Sequence, residues 1–167
     1  MNSIPVYGPV SDLMALGFCT TIDGFEEKGI KDVTLVLNSP GGSVSAINAM
    51  MAKRRQTNIK VNIAVCGQAC SAAALFTLTC KDDGGVRAAT ENSTFMFHQP
   101  RGIYTIGFEN DSLDIEFSDE FKDLQIKSFI KYSNMSEEDI RKELAGDFYI
   151  SAQKAKELGL IDLVIKV

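Results

Sequence analysis

The chain contains one histidine, so any mechanism that needs a histidine base must use His98. This residue follows the apolar run Phe95–Phe97 and precedes Gln99 and Pro100. Because proline disfavours a helical backbone at the residue before it, we expect the strand to end near the histidine and its ring to face a cleft. A lone histidine is also often a core or surface residue without a catalytic role, and the residue by itself does not decide between the two.

Ser71 is the candidate nucleophile, in the segment GQACSAAALF of residues 67–76. The segment predicts a strand that ends at Gly67 and an apolar helix that begins near Ser71. A serine there lies at the positive end of the helix dipole, beside unpaired N–H groups that can stabilise an oxyanion. The alternative is that Ser71 only caps the helix, as serines often do. The pattern is not GxSxG and does not indicate an α/β-hydrolase nucleophile elbow.

A second turn between a strand and a helix has the sequence NSPGG, at residues 38–42. Two glycines let the main chain approach a ligand closely and leave N–H groups pointing outward. The turn lacks the lysine and the spacing of a nucleotide-binding P-loop. A plain tight turn is the alternative interpretation.

A catalytic triad also needs an acid that orients the histidine ring. Asp147 is a candidate because it follows Gly146 and precedes the apolar run Phe148–Ile150, which places it at an edge of the core. The chain has 22 acidic residues, so spacing alone does not distinguish Asp147 from a solvated loop carboxylate.

Strand and helix patterns alternate along the chain and predict an α/β fold in one domain, residues 1–167. The predicted strands are IPVYG, DVTLVLNS, IKVNIAVCG, VRAA, STFMFHQP and LIDLVIKV. The first predicted helix runs from a Ser11 cap to near Gly29, the second covers SVSAINAMMAKRRQ, and the third begins near Ser71. The fourth covers residues 118–133. The fifth covers SEEDIRKELAG with a capping box at Ser136, and the sixth covers about 152–158 with a Ser151 cap. In the second helix, the basic residues near Arg54 are interpreted as a solvated helix end.

Composition excludes several classes of function. The net charge of −5 is spread along the chain and argues against a nucleic-acid partner, and no apolar run is long enough to cross a membrane. The four cysteines show no CxxC spacing, and one histidine does not complete a usual zinc site, so no metal is expected. Free thiols and the lack of a secretory signal pattern predict a cytoplasmic protein.

Several segments together resemble the proteolytic subunit of the Clp protease, the ClpP family. They are NSPGG at 38–42, GQACS at 67–71, MFHQP at 96–100, DFYISA at 147–152 and ELGLID at 157–162. Their order and spacing are similar to those of the family, and the resemblance covers roughly residues 4–167.

The resemblance implies a serine endopeptidase that hydrolyses peptide bonds without ATP or any cofactor. Ser71 corresponds to the nucleophile, His98 to the general base and Asp147 to the orienting acid. The oxyanion hole falls on the N–H groups of Gly42 and Ala72. An extended polypeptide substrate would pair as an added strand, and the residues implied to bind it are Gly41, Ser43, Val44, Gln99, Pro100 and Arg101.

The implied fold is crotonase-like, with repeated β-β-α units and a protruding handle made by the helix at 118–133. The implied assembly is a homo-oligomer of two stacked heptameric rings. The first strand begins almost at the N-terminus, so we expect the family's axial loop and first helix to be missing. That expectation argues against an AAA+ unfoldase as partner and suits a divergent or phage-encoded protease.

Two further departures from the family concern the neighbourhood of the nucleophile. Ala72 and Ala73 replace the usual Met-Gly, and residues 81–85 form a small extra loop that we interpret as a surface turn. The alternatives to a peptidase are a ring subunit without catalysis and an acyl-CoA enzyme of the crotonase fold. The second alternative would need carboxylates as acid and base rather than a serine and a histidine.

Overall fold

The structure, a computed structural model, describes residues 2–99 and 111–167, with the side chains of the second range from residue 122 onward. The strands are β1 (Ser3–Tyr7), β2 (Asp32–Ser39), β3 (Lys60–Cys70), β4 (Arg87–Thr90), β5 (Thr94–Phe97), β6 (Phe148–Ser151) and β7 (Leu163–Ile165). The helices are α1 (Asp12–Glu27), α2 (Val44–Gln56), α3 (Ala72–Thr79), α4 (Asp111–Tyr132), α5 (Glu137–Leu144) and α6 (Ala152–Glu157), and a 3₁₀ helix covers Cys80–Asp83.

Five of the strands form a parallel sheet in the order β1-β2-β3-β4-β7. β4 pairs with residues 63–65 of β3, whereas β5 pairs with residues 68–70, and Ala69 still pairs with Ser39 of β2. β6 pairs antiparallel with β5. β3 therefore belongs to both parts of the sheet and delivers its carboxyl end to the place where they meet. The carboxyl ends of parallel strands are the usual position of active sites in such sheets.

The core lies between the sheet and the helices. Buried side chains alternate with more exposed ones along β2, which is the pattern of a strand that buries one face. Every residue of α3 is buried, and Phe97 of β5 contacts Phe129 of α4 edge to face with ring centroids 4.7 Å apart. Because α3 is apolar on all sides, tertiary packing rather than solvent contact determines its place in the fold.

Most predicted elements are confirmed, including the side-chain caps at Ser11, Ser136 and Ser151. Two predicted bounds are wrong, and one strand is missing from the prediction. β3 does not end at Gly67 but continues to Cys70, where its last three residues pair with β5. The handle helix begins at Asp111 rather than at residue 118. Strand β6 was not predicted, since its four residues carry too short a pattern.

The end of α2 differs from expectation, and the segment after α3 does so only in part. Lys81, Asp82 and Gly84 are exposed, as expected of a surface turn, whereas Gly85 packs against Cys80 and the main chain of Val61. Arg54 was assigned to a solvated helix end, but its side chain has no exposed surface and donates to Asp83. The ion pair explains the burial of Arg54, because a guanidinium is buried only where a carboxylate and carbonyls satisfy it.

Asp162, just before β7, fastens the C-terminal segment to β4. It accepts hydrogen bonds from the main chain and side chain of Arg87 and from Lys81. Burial by itself would raise the pKa of the Asp162 carboxyl, but these bonds hold it well below its usual range. A carboxyl with a depressed folded pKa stabilises the fold above its unfolded pKa of about 4 and loses that contribution as the pH falls further.

We therefore predict that Asp162→Asn lowers the free energy of unfolding at pH 7 by about 1–3 kcal/mol. The difference from the wild type should narrow below about pH 4, because the carboxyl is protonated there in the unfolded wild-type chain while the folded state resists protonation. Urea unfolding at a series of pH values measures this. Glu137→Gln, which removes the exposed pair with Arg141, is the control and should change stability by less than about 1 kcal/mol. An Asp162 effect that persists unchanged to pH 2 would contradict the prediction.

Candidate active site

Ser71 lies between the end of β3 and the first turn of α3, with φ 55° and ψ −123°. Among the described residues it is the one non-glycine residue with a positive φ. Its N–H donates to the carbonyl of Met96 in β5 at 2.7 Å. This hydrogen bond to the neighbouring strand helps to hold Ser71 in its strained backbone conformation. Such strain costs about 1–3 kcal/mol and is concentrated at functional sites. Here it turns the hydroxyl away from the helix that follows.

The Ser71 hydroxyl makes no capping bond to α3. Instead, Ser71 Oγ lies 2.8 Å from Nε2 of His98, which is hydrogen-bond distance. His98 directly follows β5, as the sequence predicts, and β5 pairs with the last residues of β3. The two strands thus bring together side chains that are 27 residues apart in the sequence. The alternative that Ser71 acts as a helix cap does not describe this structure.

Asp147 is the residue before β6, whose first residue Phe148 pairs with Phe97 of β5. The antiparallel pairing sets Asp147 beside His98, and its Oδ1 lies 3.7 Å from His98 Nδ1. That separation fits an ion pair but is longer than a hydrogen bond. The His98 side chain is 16% exposed and that of Asp147 is 36% exposed, so solvent reaches the acid more readily than the ring.

The NSPGG turn packs directly against the serine. A Cβ atom on Gly41, whose φ is 91°, would lie 2.6 Å from the carbonyl oxygen of Cys70 and 2.8 Å from Ser71 Cβ. Gly42 is bridged to Val10, since Val10 N–H donates to Gly41 and Ser43 N–H donates to Val10. These bonds occupy the Val10 side of the turn. The N–H of Gly42 consequently points to the opposite side.

The N–H groups of Gly42 and Ala72 donate to no acceptor within the described part of the chain. Ala72 is the first residue of α3, where helical N–H groups have no partner in the helix. The Cβ position of Gly41 lies 3.4 Å from the nitrogen of Ala72, which places the two turns side by side. The turn that carries Gly42 therefore lies beside the start of α3, and unpaired backbone donors are the kind of group that stabilises an oxyanion.

The residues predicted to bind substrate are only partly brought to this site. Gly41 lies against Ser71. Val44 and Gln99 are half-buried and lie close in sequence to Gly42 and His98, respectively. Ser43 caps α2 through its side chain, and its N–H and carbonyl are already bonded to Val10 and Ile47. Strand addition at Ser43 would therefore have to exchange existing bonds. Pro100 and Arg101 lie outside the described residues.

Sequence reasoning missed three supports of the site. The Ser39 hydroxyl accepts from Gly41 N–H at 3.1 Å and is fully buried, Val10 anchors the turn, and Met96 accepts from Ser71. Ser39 belongs to the NSPGG motif and Met96 to the MFHQP motif, so the family resemblance already pointed to these two residues. Val10 lies in none of them, and only the tertiary bridge reveals it.

Cys70 is the nearest other nucleophile in the sequence. Burial raises the pKa of its thiol, which keeps it protonated near neutral pH. Among residues 2–99 and 111–167, no group of three or more histidine, cysteine or acidic side chains could hold a metal ion. No helix in the same ranges is both long and apolar enough to span a bilayer.

Comparison with known proteins first defines the class of fold. The structure is similar to that of a mutant of ClpP1 from Listeria monocytogenes, with a TM-score of 0.81 over 99% of this chain and 92% of the other, at 23% sequence identity. This likeness confirms the predicted crotonase-like α/β fold. The family follows from the sequence itself: the Clp protease family model matches residues 1–167, and the chain belongs to that family.

One curated relative is the ATP-dependent Clp protease proteolytic subunit 2 of Frankia casuarinae. The two sequences are 36% identical over 141 residues, which cover 81% of this chain and 62% of the relative. The chain therefore spans less than two thirds of that relative's length. The predicted family is confirmed, and the roles of individual residues are inferred from the site geometry below.

Proposed function

We propose that the chain is a serine endopeptidase that hydrolyses peptide bonds through an acyl-enzyme, with Ser71, His98 and Asp147 as its triad. The observation that carries the proposal is the 2.8 Å contact between Ser71 Oγ and His98 Nε2, made by a serine that does not cap its helix. Membership of the Clp protease family supports the reaction class.

In the proposed mechanism, His98 Nε2 accepts the Ser71 proton while Oγ attacks the substrate carbonyl. The N–H groups of Gly42 and Ala72 stabilise the resulting oxyanion. His98 then donates the proton to the leaving amine, and a water molecule, activated by the same ring, releases the acyl group. The bond-breaking steps use only these groups and need no nucleotide, metal or organic cofactor.

The substrate is proposed to be an extended polypeptide that lies against the turn at 41–44 and the residues after His98. Gly42 and the first turn of α2 offer main-chain groups there, and main-chain pairing tolerates many side chains. By analogy with the family, we propose a cytoplasmic homo-oligomer of two stacked heptameric rings, with α4 at the contact between rings.

Asp147 is proposed to orient His98, and its 3.7 Å separation from Nδ1 is expected to shorten when substrate binds. We predict that Asp147→Asn lowers kcat for a peptide substrate by about 10²- to 10⁴-fold, because an amide neither stabilises the imidazolium nor fixes its tautomer. Steady-state kinetics with a fluorogenic peptide measures this. Asp12→Asn, at an acidic residue in the first turn of α1, is the control. A kcat within twofold of the wild type would remove Asp147 from the triad.

The function is tested with purified protein, a fluorogenic peptide and an unfolded protein substrate such as casein. We expect hydrolysis that a serine-directed inhibitor stops and that neither added ATP nor EDTA changes. Hydrolysis abolished by EDTA alone would contradict the serine mechanism. Turnover of an acyl-CoA thioester without peptide hydrolysis would identify the acyl-CoA alternative instead, and a folded oligomer without either activity would identify a non-catalytic subunit.

A further inference from the structure

The buried guanidinium of Arg54 lies against the carboxyl-terminal end of α3, the helix that begins just after Ser71. Arg54 Nη1 donates to the carbonyl of Phe76 at 2.9 Å, and Nη2 donates to the Thr79 hydroxyl at 3.1 Å. The guanidinium also lies over the Phe76 ring, 4.7 Å from its centroid. A cation at this end of a helix interacts favourably with the helix dipole. Arg54 thus contacts α3 through charge, hydrogen bonds and ring packing together.

Asp83 completes the arrangement. Its Oδ2 accepts from Arg54 Nε at 2.6 Å, and its side chain is only 17% exposed. Asp83 is the last residue of the 3₁₀ helix that directly continues α3, and Gly84, with φ 74°, ends this helix. The three donor groups of Arg54 are therefore divided between α3 itself and the segment that follows it. This is the fork geometry that arginine offers and lysine does not.

Apart from the Arg54 contacts, the ends of α3 are held by the Ser71 N–H, which donates to Met96, and by the Cys80 thiol, which donates to the Val61 carbonyl. Between these ends its contacts with the rest of the protein are mainly apolar, such as the edge-to-face packing of Phe76 on Phe18. All eight of its residues are buried, and its side chains are alanine, leucine, phenylalanine and threonine, with both threonine hydroxyls bonded to carbonyls of the same helix. Apolar contacts are not directional, so they resist separation of α3 from its neighbours more than small axial shifts. The Phe76 carbonyl lies five residues after Ser71, or about 7 Å along the helix. A shift at the Arg54 end is therefore carried to the serine.

We propose that Arg54 and Asp83 form a positioning pair that sets the axial position of α3, and through it the distances from Ser71 Oγ to His98 and from the Ala72 N–H to the oxyanion. The pair touches no substrate. The inference rests on the proposed function for its kinetic consequence, but its structural consequence at His98 is independent of activity.

The test compares Asp83→Asn, Arg54→Lys and the double variant Arg54→Met/Asp83→Leu with the wild type. The double variant replaces the buried ion pair with apolar groups of similar size, a change that often preserves or raises stability. It does not replace the bonds from Arg54 to Phe76 and Thr79. Arg55→Lys, at the exposed neighbour on α2, is the matched control.

Three quantities are measured on each protein: the unfolding midpoint, the second-order rate constant for labelling Ser71 with a fluorophosphonate per folded chain, and kcat and KM for a peptide. We expect the double variant to unfold at or above the wild-type midpoint, yet to be labelled at least about tenfold more slowly. Its kcat should fall while KM stays, because the substrate lies on the turn at 41–44 and after His98 rather than on α3. The two single variants should also be labelled more slowly, and Arg55→Lys should equal the wild type.

The single histidine provides a readout that needs no activity. In a protein labelled with ¹³C and ¹⁵N at histidine, the ring resonances of His98 assign themselves, and we expect them to shift in all three variants but not in Arg55→Lys. A double variant with wild-type stability, a labelling rate within twofold and unchanged His98 resonances would overturn the inference. If the double variant does not fold, the same two readouts on the single variants decide. If the wild type is not labelled at all, the proposed function fails, and the His98 resonances alone decide the positioning role.

Discussion

Ser71→Ala is expected to lower kcat for peptide hydrolysis by about 10⁴-fold or more, because it removes the hydroxyl that attacks the substrate carbonyl in the proposed mechanism. The same change should lower the free energy of unfolding by no more than about 1 kcal/mol. It removes one hydrogen bond, to His98, and no helix cap.

Steady-state kinetics and thermal unfolding of the same preparations separate these two effects. Ser3→Ala, at an exposed position of β1, is the control for removal of a hydroxyl and should retain full activity. A Ser71→Ala protein with more than about a tenth of the wild-type kcat would show that hydrolysis proceeds without this nucleophile.

The second large effect is expected at Gly41. An alanine there would place its Cβ 2.6 Å from the Cys70 carbonyl and 2.8 Å from Ser71 Cβ, at a φ of 91° that side chains rarely adopt. Neither neighbour is the end of a flexible side chain, so the NSPGG turn and the serine must move apart. We predict that Gly41→Ala lowers kcat by about 100-fold or more, since a displacement of about 1 Å is enough for such a loss. The strained backbone should also cost about 1–3 kcal/mol of stability.

Gly24→Ala is the matched control for this substitution. Gly24 lies within α1, where an added Cβ meets no atom within 4 Å, so alanine should leave kcat unchanged and raise stability by up to about 1 kcal/mol. Peptide kinetics and urea unfolding on both variants make the comparison. Wild-type activity in Gly41→Ala would mean that the turn does not hold the nucleophile in place.

The sequence was most informative where local pattern and local structure agree. Ser11, Ser136 and Ser151 each precede a helical pattern, and each side chain caps the predicted helix. The placement of His98 after β5 followed from the proline two residues later. Capping and strand termination depend on a few adjacent residues, so the sequence alone contains what is needed to predict them.

Long-range pairing was not accessible in the same way. Gly67 was interpreted as the end of a strand, but β3 changes partners from β4 to β5 and continues to Cys70. Ser71 follows this pairing directly, with a positive φ and a hydroxyl that lies at hydrogen-bond distance from His98 and makes no capping bond to the helix. Local sequence patterns do not determine which strand β3 pairs with beyond Gly67, so the sequence alone does not distinguish a capping role of Ser71 from a nucleophilic one.

Charged residues were also hard to place from composition. Arg54 was interpreted as a solvated residue because two further basic residues flank it, but its carboxylate partner Asp83 lies 29 residues away. Burial of a guanidinium depends on that distant partner and on the Phe76 carbonyl. The family resemblance did not indicate this pair either, because Asp83 lies within residues 81–85, where the chain departs from the family pattern.

The most direct test of the central claim is labelling of the wild type and of His98→Ala with a fluorophosphonate, followed by intact mass and peptide mapping. The account predicts one adduct per chain in the wild type, located on Ser71, and its loss in His98→Ala with the fold retained. A folded wild-type protein that forms no adduct on Ser71, or a His98→Ala protein that is labelled there at the same rate, would contradict it.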